Sequence, residues 1–511
     1  MTIGFLFLYN NAEEPRCCGE ASNVQTKKEV TGMKKMKLML AALAAISMAF
    51  AATACGKEES SEGRTKAEDD VKIDVAQVEE IMHDLEDYQS AQDVSGEDKT
   101  VCWMAVYDLN PKNNQDRSVA LTLFEDVYGG KIKYIATTSD SKFDDLANHF
   151  NSGDQIDMFP YEWDAVPNGV TKGMYDPLDN YVDLSDPIWN DMRDYAETYK
   201  YDGHYYVVPY SVSDPLAITY SRTLMQEEGL KDPYELYKKG EWNWNTFLDM
   251  MKQFVSNADE GEQRFGARGW FGQAIVQSTG DTVIHYDGNQ FSNNIMSASI
   301  ERAELLQEQI SKLGLYDGTW YSHFPEDGST LFYGMAPWSL GESNAMNPDG
   351  DIFIVPFPKD PESDTYYLNM NYGASMLVRN SKQGHAVGAY ITCCRLEQVV
   401  DQYRQAAKEK ALIQETNAQG KVTNYITEEQ YDFMQTWYDP SNIKCVFDFG
   451  YGMGNLMYNE TYDYNTRGVM NNVADALLVG YEGTPDTWAE IRSQWSSVVD
   501  TVVSDYNKKL Q

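Results

Sequence analysis

Residues 141–159 read SKFDDLANHFNSGDQIDMF. Helical apolar spacing runs from Ser141 to Gly153, with Ser141 at the N-cap position, and a short strand follows over Gln155–Phe159. Upstream, Thr100–Leu109 reads as a strand, Ser118–Gly130 as a helix closed by glycines, and Lys131–Thr137 as a second strand. Strand, helix, strand, helix, strand with short links predicts a mostly parallel sheet covered by helices.

The alternation resumes downstream. Strands are predicted over His204–Val208 and Leu216–Tyr220, on either side of a segment bearing Pro209 and Pro215. Helices follow over Asn245–Asn257 and Ser297–Leu313, then a strand and turn over Ser329–Ser339. A proline-broken strand covers Asp351–Pro361, another strand covers Tyr372–Val378, and helical patterns dominate from Ala386. This organisation reads either as one large α/β protein with loops or, more sharply, as two lobes joined at two proline-marked crossings, near Pro209–Pro215 and near Val355–Pro358, with the late helices bracing both. No internal repeat is present.

The N-terminal part reads differently. Lys34, Lys35 and Lys37 precede an uncharged run from Leu38 to Ala54 that ends in small residues, the pattern of a secretory signal. Its 17 residues, many of them alanine, are marginal for a membrane span, which needs about 20. Ahead of it, residues 1–32 carry Glu13, Glu14, Cys17 and Cys18, which do not suit a signal. Lys28-Glu29-Val30 can be encoded by AAG GAG GTN, a ribosome-binding sequence suitably spaced before Met33, so translation is expected to start at Met33. After the apolar run, residues 56–70 are too charged and polar to bury a core and suit a solvated tether.

Residues 1–54 hold six basic and four acidic residues, so the remaining 457 carry −40 against −38 for the whole chain. That charge repels nucleic acid and anionic membrane surfaces. The length suits a large core and two or more domains. All eleven Trp lie beyond residue 54; most are expected to pack in the interior, with a minority free to line a site for a ligand with flat apolar faces. Cys102, Cys393, Cys394 and Cys445 read as buried thiols, and one disulfide among them stays open.

Motifs for common chemistries are missing from the sequence: no G-x-S-x-G, H-E-x-x-H, Walker loop or G-x-G-x-x-G occurs. The six histidines lack metal-ligand spacing. Residues 463–468, DYNTRG, match a calcium loop poorly, with Arg467 at a ligand position and Ala474 in place of the closing glutamate. Neither metal nor cofactor is expected, and binding is favoured over catalysis.

Several stretches together resemble the bacterial extracellular solute-binding proteins, closest to the carbohydrate-binding family 1. Phe143–Val182 is similar to the family's first-lobe pattern of helix, strand, aromatic loop and "G-x-x-x-PLD-x-Y". HYYVVPYSVSDPLAITYSRTLMQEEGL (204–230) resembles the first crossing, and GEWNWNTFLDM (240–250) the helix start that follows. FYGMAPWS (332–339) resembles the "A-M-x-x-x-G-x-W" strand and turn, and IFIVPFPKDP (352–361) the return crossing. Ala52-Thr53-Ala54-Cys55 resembles a lipoprotein signal box, which implies acylation of Cys55 and a lipid anchor.

The resemblance implies a two-lobed, periplasmic-binding-protein-like (type II) α/β fold, with a hinge and a central cleft between the lobes. Its expected divisions are 33–54 signal, 55–98 anchor and tether, 99–209 first lobe, 210–355 second lobe, 356–425 return to the first lobe, and 426–511 a helical region bracing both. It also implies a monomeric, non-enzymatic protein on the outer face of the cell membrane, which captures a mono- or oligosaccharide and delivers it to the permease of an ABC importer. A sugar offers apolar C–H faces and a rim of hydroxyls, so its cleft needs aromatic plates and polar groups. Matching by position nominates Asp108, Asn110, Tyr161, Glu162 and Trp163 from the first lobe, Asp214 at the crossing, Trp270, Phe271 and Trp338 from the second lobe, and Tyr458 and Tyr462 before a late helix. The rival functions are an extracellular glycan hydrolase and an adhesion lipoprotein, and a non-sugar solute stays open within the same fold.

Overall fold

The computed structural model describes residues 99–111, 117–369, 371–439, 441–459, 466–474, 476–479 and 487–510. The predicted signal, Cys55, the predicted tether, Tyr462 and residues 463–465 lie outside the described residues. Among the described residues, no helix is long and apolar enough to cross a membrane.

Two five-stranded sheets organise the chain. The first runs, in spatial order, Lys131–Ala136, Thr100–Ala105, Met158–Pro160, Ser375–Val378 and Tyr175–Asp176. Its first three strands are parallel, as the alternation predicts, but Ser375–Val378 enters antiparallel to both neighbours. The sheet is therefore mixed, because this strand returns from the other lobe instead of following a helical crossover. The second sheet runs Tyr316–Asp317, Phe265–Gly269, Thr330–Met335, Ala217–Ser221 and Ile352–Pro356. Strands 217–221, 330–335 and 352–356 are buried along their whole length, which explains why they are largely apolar on both faces.

Local chemistry sets the helix boundaries. Asn243 and Thr246 form a reciprocal capping box at the start of Trp244–Ser256, and Ser297 caps Ala298–Lys312. Ser141 precedes Lys142–Ser152 as expected but caps nothing, because its hydroxyl donates to Asp145 Oδ2 at 2.6 Å. The helix predicted over 118–130 is a short α-turn, Val119–Thr122, continued as a π-helix over Leu123–Val127. The strand predicted over 204–208 is only His204–Tyr205, half of a small hairpin turning at Asp202-Gly203. The strand predicted over 100–109 ends at Ala105.

The lobes are joined by two strands lying side by side. Ser211–Ser213 leaves the first lobe, Asn371–Gly373 re-enters it, and the two pair antiparallel. The return thus lies at 371–373, some 15 residues beyond the proline pair at 356–358. Pro356 ends an edge strand of the second sheet, and its carbonyl accepts from Trp242 Nε1 at 2.8 Å, holding 356–360 in that lobe. The C-terminal region is not wholly helical. It also contributes Lys444–Val446, which pairs parallel with Tyr367–Asn369. The last helix, Trp488–Lys509, packs on the second lobe at Phe291–Asn293, and its Tyr506 hydroxyl donates to Asn168 of the first lobe. Trp103, Trp189, Trp242, Trp244, Trp437 and Trp488 are core residues, and no disulfide joins any two of the four cysteines among the described residues.

Candidate functional site

A cavity of about 170 Å³ lies between the two sheets, where both lobes and both connecting segments meet. From the first lobe, strand 158–160 ends at Tyr161, whose backbone N–H donates to Ala374 O at 3.0 Å. The turn that follows presents Tyr161, Glu162 and Trp163 to the cavity. Glu162 is buried and pairs with Lys142 Nζ at 2.9 Å, so its charge is compensated from behind. Trp163 is half-buried, held edge-on by Phe143 at 5.5 Å and by Tyr458 at 4.9 Å between ring centres.

The second lobe supplies Trp270 and Trp338 from the ends of two neighbouring parallel strands, 265–269 and 330–335. Ligands in sheet proteins commonly bind beyond such carboxyl ends. Gly269 stands opposite Gly334 with φ +90°, and Trp270 N donates to Gly334 O at 2.8 Å. A Cβ at Gly269 would clash with the Gly334 carbonyl, so only glycine lets the strand turn here and carry Trp270 inward. Trp338 sits in a 3₁₀ turn, Pro337–Ser339, and like Trp270 is half-buried. Phe271 also lines the cavity but is mainly a core residue, 2 % exposed and stacked on Phe247.

Asp214 occupies the crossing. It is 6 % exposed, lines the cavity, takes φ +40°, and neither carboxylate oxygen has a hydrogen-bond partner among the described residues. Burial pushes its carboxyl up to about 7. Asp448 behaves differently. Burial also raises it to about 7, but it accepts from the backbone N–H of Val283, Ile284 and Gly450 at 2.6, 3.1 and 2.9 Å.

Eight of the eleven nominated positions line this one cavity: Tyr161, Glu162, Trp163, Asp214, Trp270, Phe271, Trp338 and Tyr458. Asp108 and Asn110 do not. Asp108 Oδ1 accepts from Asn110 N and Nδ2 at 2.9 and 2.8 Å, and Asn110 Nδ2 also reaches Ile132 O at 3.3 Å. The loop thereby folds back over the edge strand 131–136, and the pair closes a turn. The sequence reading missed Asn369, Tyr372, Phe447, Asp448, Tyr451, Gln273, Gln277 and Asn471, all on the cavity wall. Of these, the aromatic run VFDFGY at 446–451 was the signal available. A second concavity, of about 680 Å³, lies between residues 187–191 and 398–404 of the first lobe and carries no aromatic lining.

The chain belongs to the bacterial extracellular solute-binding proteins, whose family model matches residues 120–400. Among solved structures, it is similar to the cyclic α-maltosyl-1,6-maltose binding protein of Arthrobacter globiformis, with a TM-score of 0.54 and 14 % identity over 80 % of this chain and 99 % of that one. It is similar to a Rhizobium etli sugar transporter protein in an open conformation, with TM-score 0.53 and 13 % identity over 78 % and 99 % of the two chains. It is also similar to the galacto-N-biose/lacto-N-biose I-binding protein of a Bifidobacterium longum ABC transporter, with TM-score 0.52 and 12 % identity over 79 % and 96 %. These likenesses concern the two-lobed fold. No curated protein matches the chain.

Proposed function

We propose that this protein captures a carbohydrate in the cavity between its lobes and hands it to the permease of an ABC importer. The observation that carries the reading is the wall itself. Three half-buried indoles, Trp163, Trp270 and Trp338, face one cavity together with carboxylate and amide groups. Indoles suit the apolar face of a sugar ring, and the polar groups suit its hydroxyls. The three similar structures support the reading, since all three are of sugar-binding or sugar-transport proteins. At about 170 Å³ the cavity is smaller than the ~300–1,000 Å³ of drug-sized ligand sites, so a chain of several sugars requires the lobes to part.

Under this proposal Tyr161, Glu162, Trp163, Asp214, Trp270, Phe271, Trp338 and Tyr458 form the ligand surface. The mature protein is a monomer that begins at acylated Cys55, is held to the outer face of the membrane by that lipid alone, and turns nothing over. A thermal-shift screen over mono- and oligosaccharides tests the binding claim. A ligand at 100 times its dissociation constant adds about 2.7 kcal/mol of stability, and a screen in which no sugar shifts the melt removes the carbohydrate reading. Mass spectrometry of protein from its native host tests the anchor, which an unmodified N-terminus would exclude.

A further inference from the structure

Among the described residues of the cavity wall, the buried atoms without a hydrogen-bond partner are Asp214 Oδ1 and Oδ2, Gln277 Oε1 and Asn471 Oδ1. Every one is an acceptor. Among the described residues no lysine or arginine lines the cavity, while Glu162, Asp214 and Asp448 do. The three carboxylates are not equivalent. Lys142 neutralises Glu162 from behind, and three backbone N–H groups hold Asp448. Asp214 has neither, though it is 6 % exposed and faces the same space. The group facing it from the late helix Glu428–Tyr438 is the Tyr438 phenol, pushed up by its own burial and by the charge of Asp214.

A buried acceptor without a donor is costly, and a ligand that supplies donors relieves that cost. Hydroxyl and ammonium groups do so. A carboxylate, sulfate or phosphate brings further acceptors and a like charge into a site of low dielectric, where repulsion is strongest. We infer that the cavity sorts ligands by charge: it takes neutral or amino-bearing carbohydrates and rejects acidic ones, with Asp214 setting the discrimination. The inference rests on the carbohydrate reading and adds the chemical class of the sugar.

The test is a set of matched sugars, each as the neutral, amino and uronate form (glucose, glucosamine and glucuronate; galactose, galactosamine and galacturonate; and the corresponding disaccharides). Binding is measured at pH 8 and low salt to the wild type and to Asp214→Asn. For every neutral sugar that binds the wild type, the uronate form is expected to bind at least tenfold more weakly and the amino form at least as well. Asp214→Asn is expected to shrink the neutral-to-uronate ratio severalfold. A uronate that binds the wild type as tightly as its neutral parent overturns the inference, and so does an unchanged ratio in Asp214→Asn.

Should no member of the set bind, the carbohydrate reading fails on its own. The charge claim is then decided by quenching of the cavity tryptophans in the empty protein. Asp214→Asn should raise iodide quenching relative to caesium quenching, and an unchanged ratio overturns the claim.

Discussion

Trp338 carries the most direct consequence of a single side chain. It is fixed by Pro337 in a tight turn and leaves part of its indole open to the cavity. Burying such a side chain against a ligand is worth roughly 1.5–3 kcal/mol. Trp338→Ala should therefore weaken sugar binding by about 10- to 100-fold, and Trp338→Phe should recover part of it. Calorimetry with denaturant melts checks this. A core tryptophan would instead cost about 3–5 kcal/mol of stability when truncated. Asp214 makes a second claim at this scale. Its folded-state carboxyl titrates near 7, above the ~3.9 of an unfolded chain, so the native state binds the extra proton. That contribution to stability is complete below about pH 4 and is lost as pH rises toward 7. Ligand-free Asp214→Asn should be more stable than the wild type at pH 8, by up to about 4 kcal/mol, with the gap closing toward pH 4. Melts at the two pH values decide it.

Among the elements, the segment 444–458 links the lobes. Asp448 ties it to Val283 and Ile284 of the second lobe, while Tyr458 lies against Trp163 of the first. Asp448→Ala would orphan three buried N–H groups, each costing about 1–3 kcal/mol. It should destabilise strongly, whereas Asp448→Asn keeps an acceptor and should lose less, which denaturant melts will resolve. This segment also marks the limit of what the sequence revealed. Tyr161–Trp163 and Trp338 were legible because each follows a strand that apolar runs identify, whereas Trp270 was nominated only by its position in the family resemblance, the strand before it, FGARG, having no apolar run. Asp448 and Tyr451 reach the wall only because residues 444–446 pair with 367–369, a long-range contact without a local pattern. Asp108 met the same local rule as Trp163, yet a hydrogen bond from Asn110 to the edge strand draws its loop away. Pro356 and Pro358 imitated a crossing, because proline is equally at home on an edge strand.

In the molecule as a whole, the paired strands 211–213 and 371–373 carry the chain from one sheet to the other and back, and are the natural place for a hinge. Small-angle scattering should record contraction of the protein when a saturating sugar is added, and an unchanged curve at saturation would argue against closure. The same pairing has a consequence for how the molecule is made. Ser213 and Asn371 are direct neighbours, so everything between them is one continuous insertion into the first lobe. The inserted sheet is complete by Pro356, but the host sheet waits for Ser375–Val378, whose partner Met158–Pro160 lies more than 200 residues earlier. A chain emerging from its N-terminus can therefore assemble the guest before the host. Pulse-labelled hydrogen exchange during refolding should protect 330–335 ahead of 375–378, and simultaneous protection would mean that the two lobes fold as one unit.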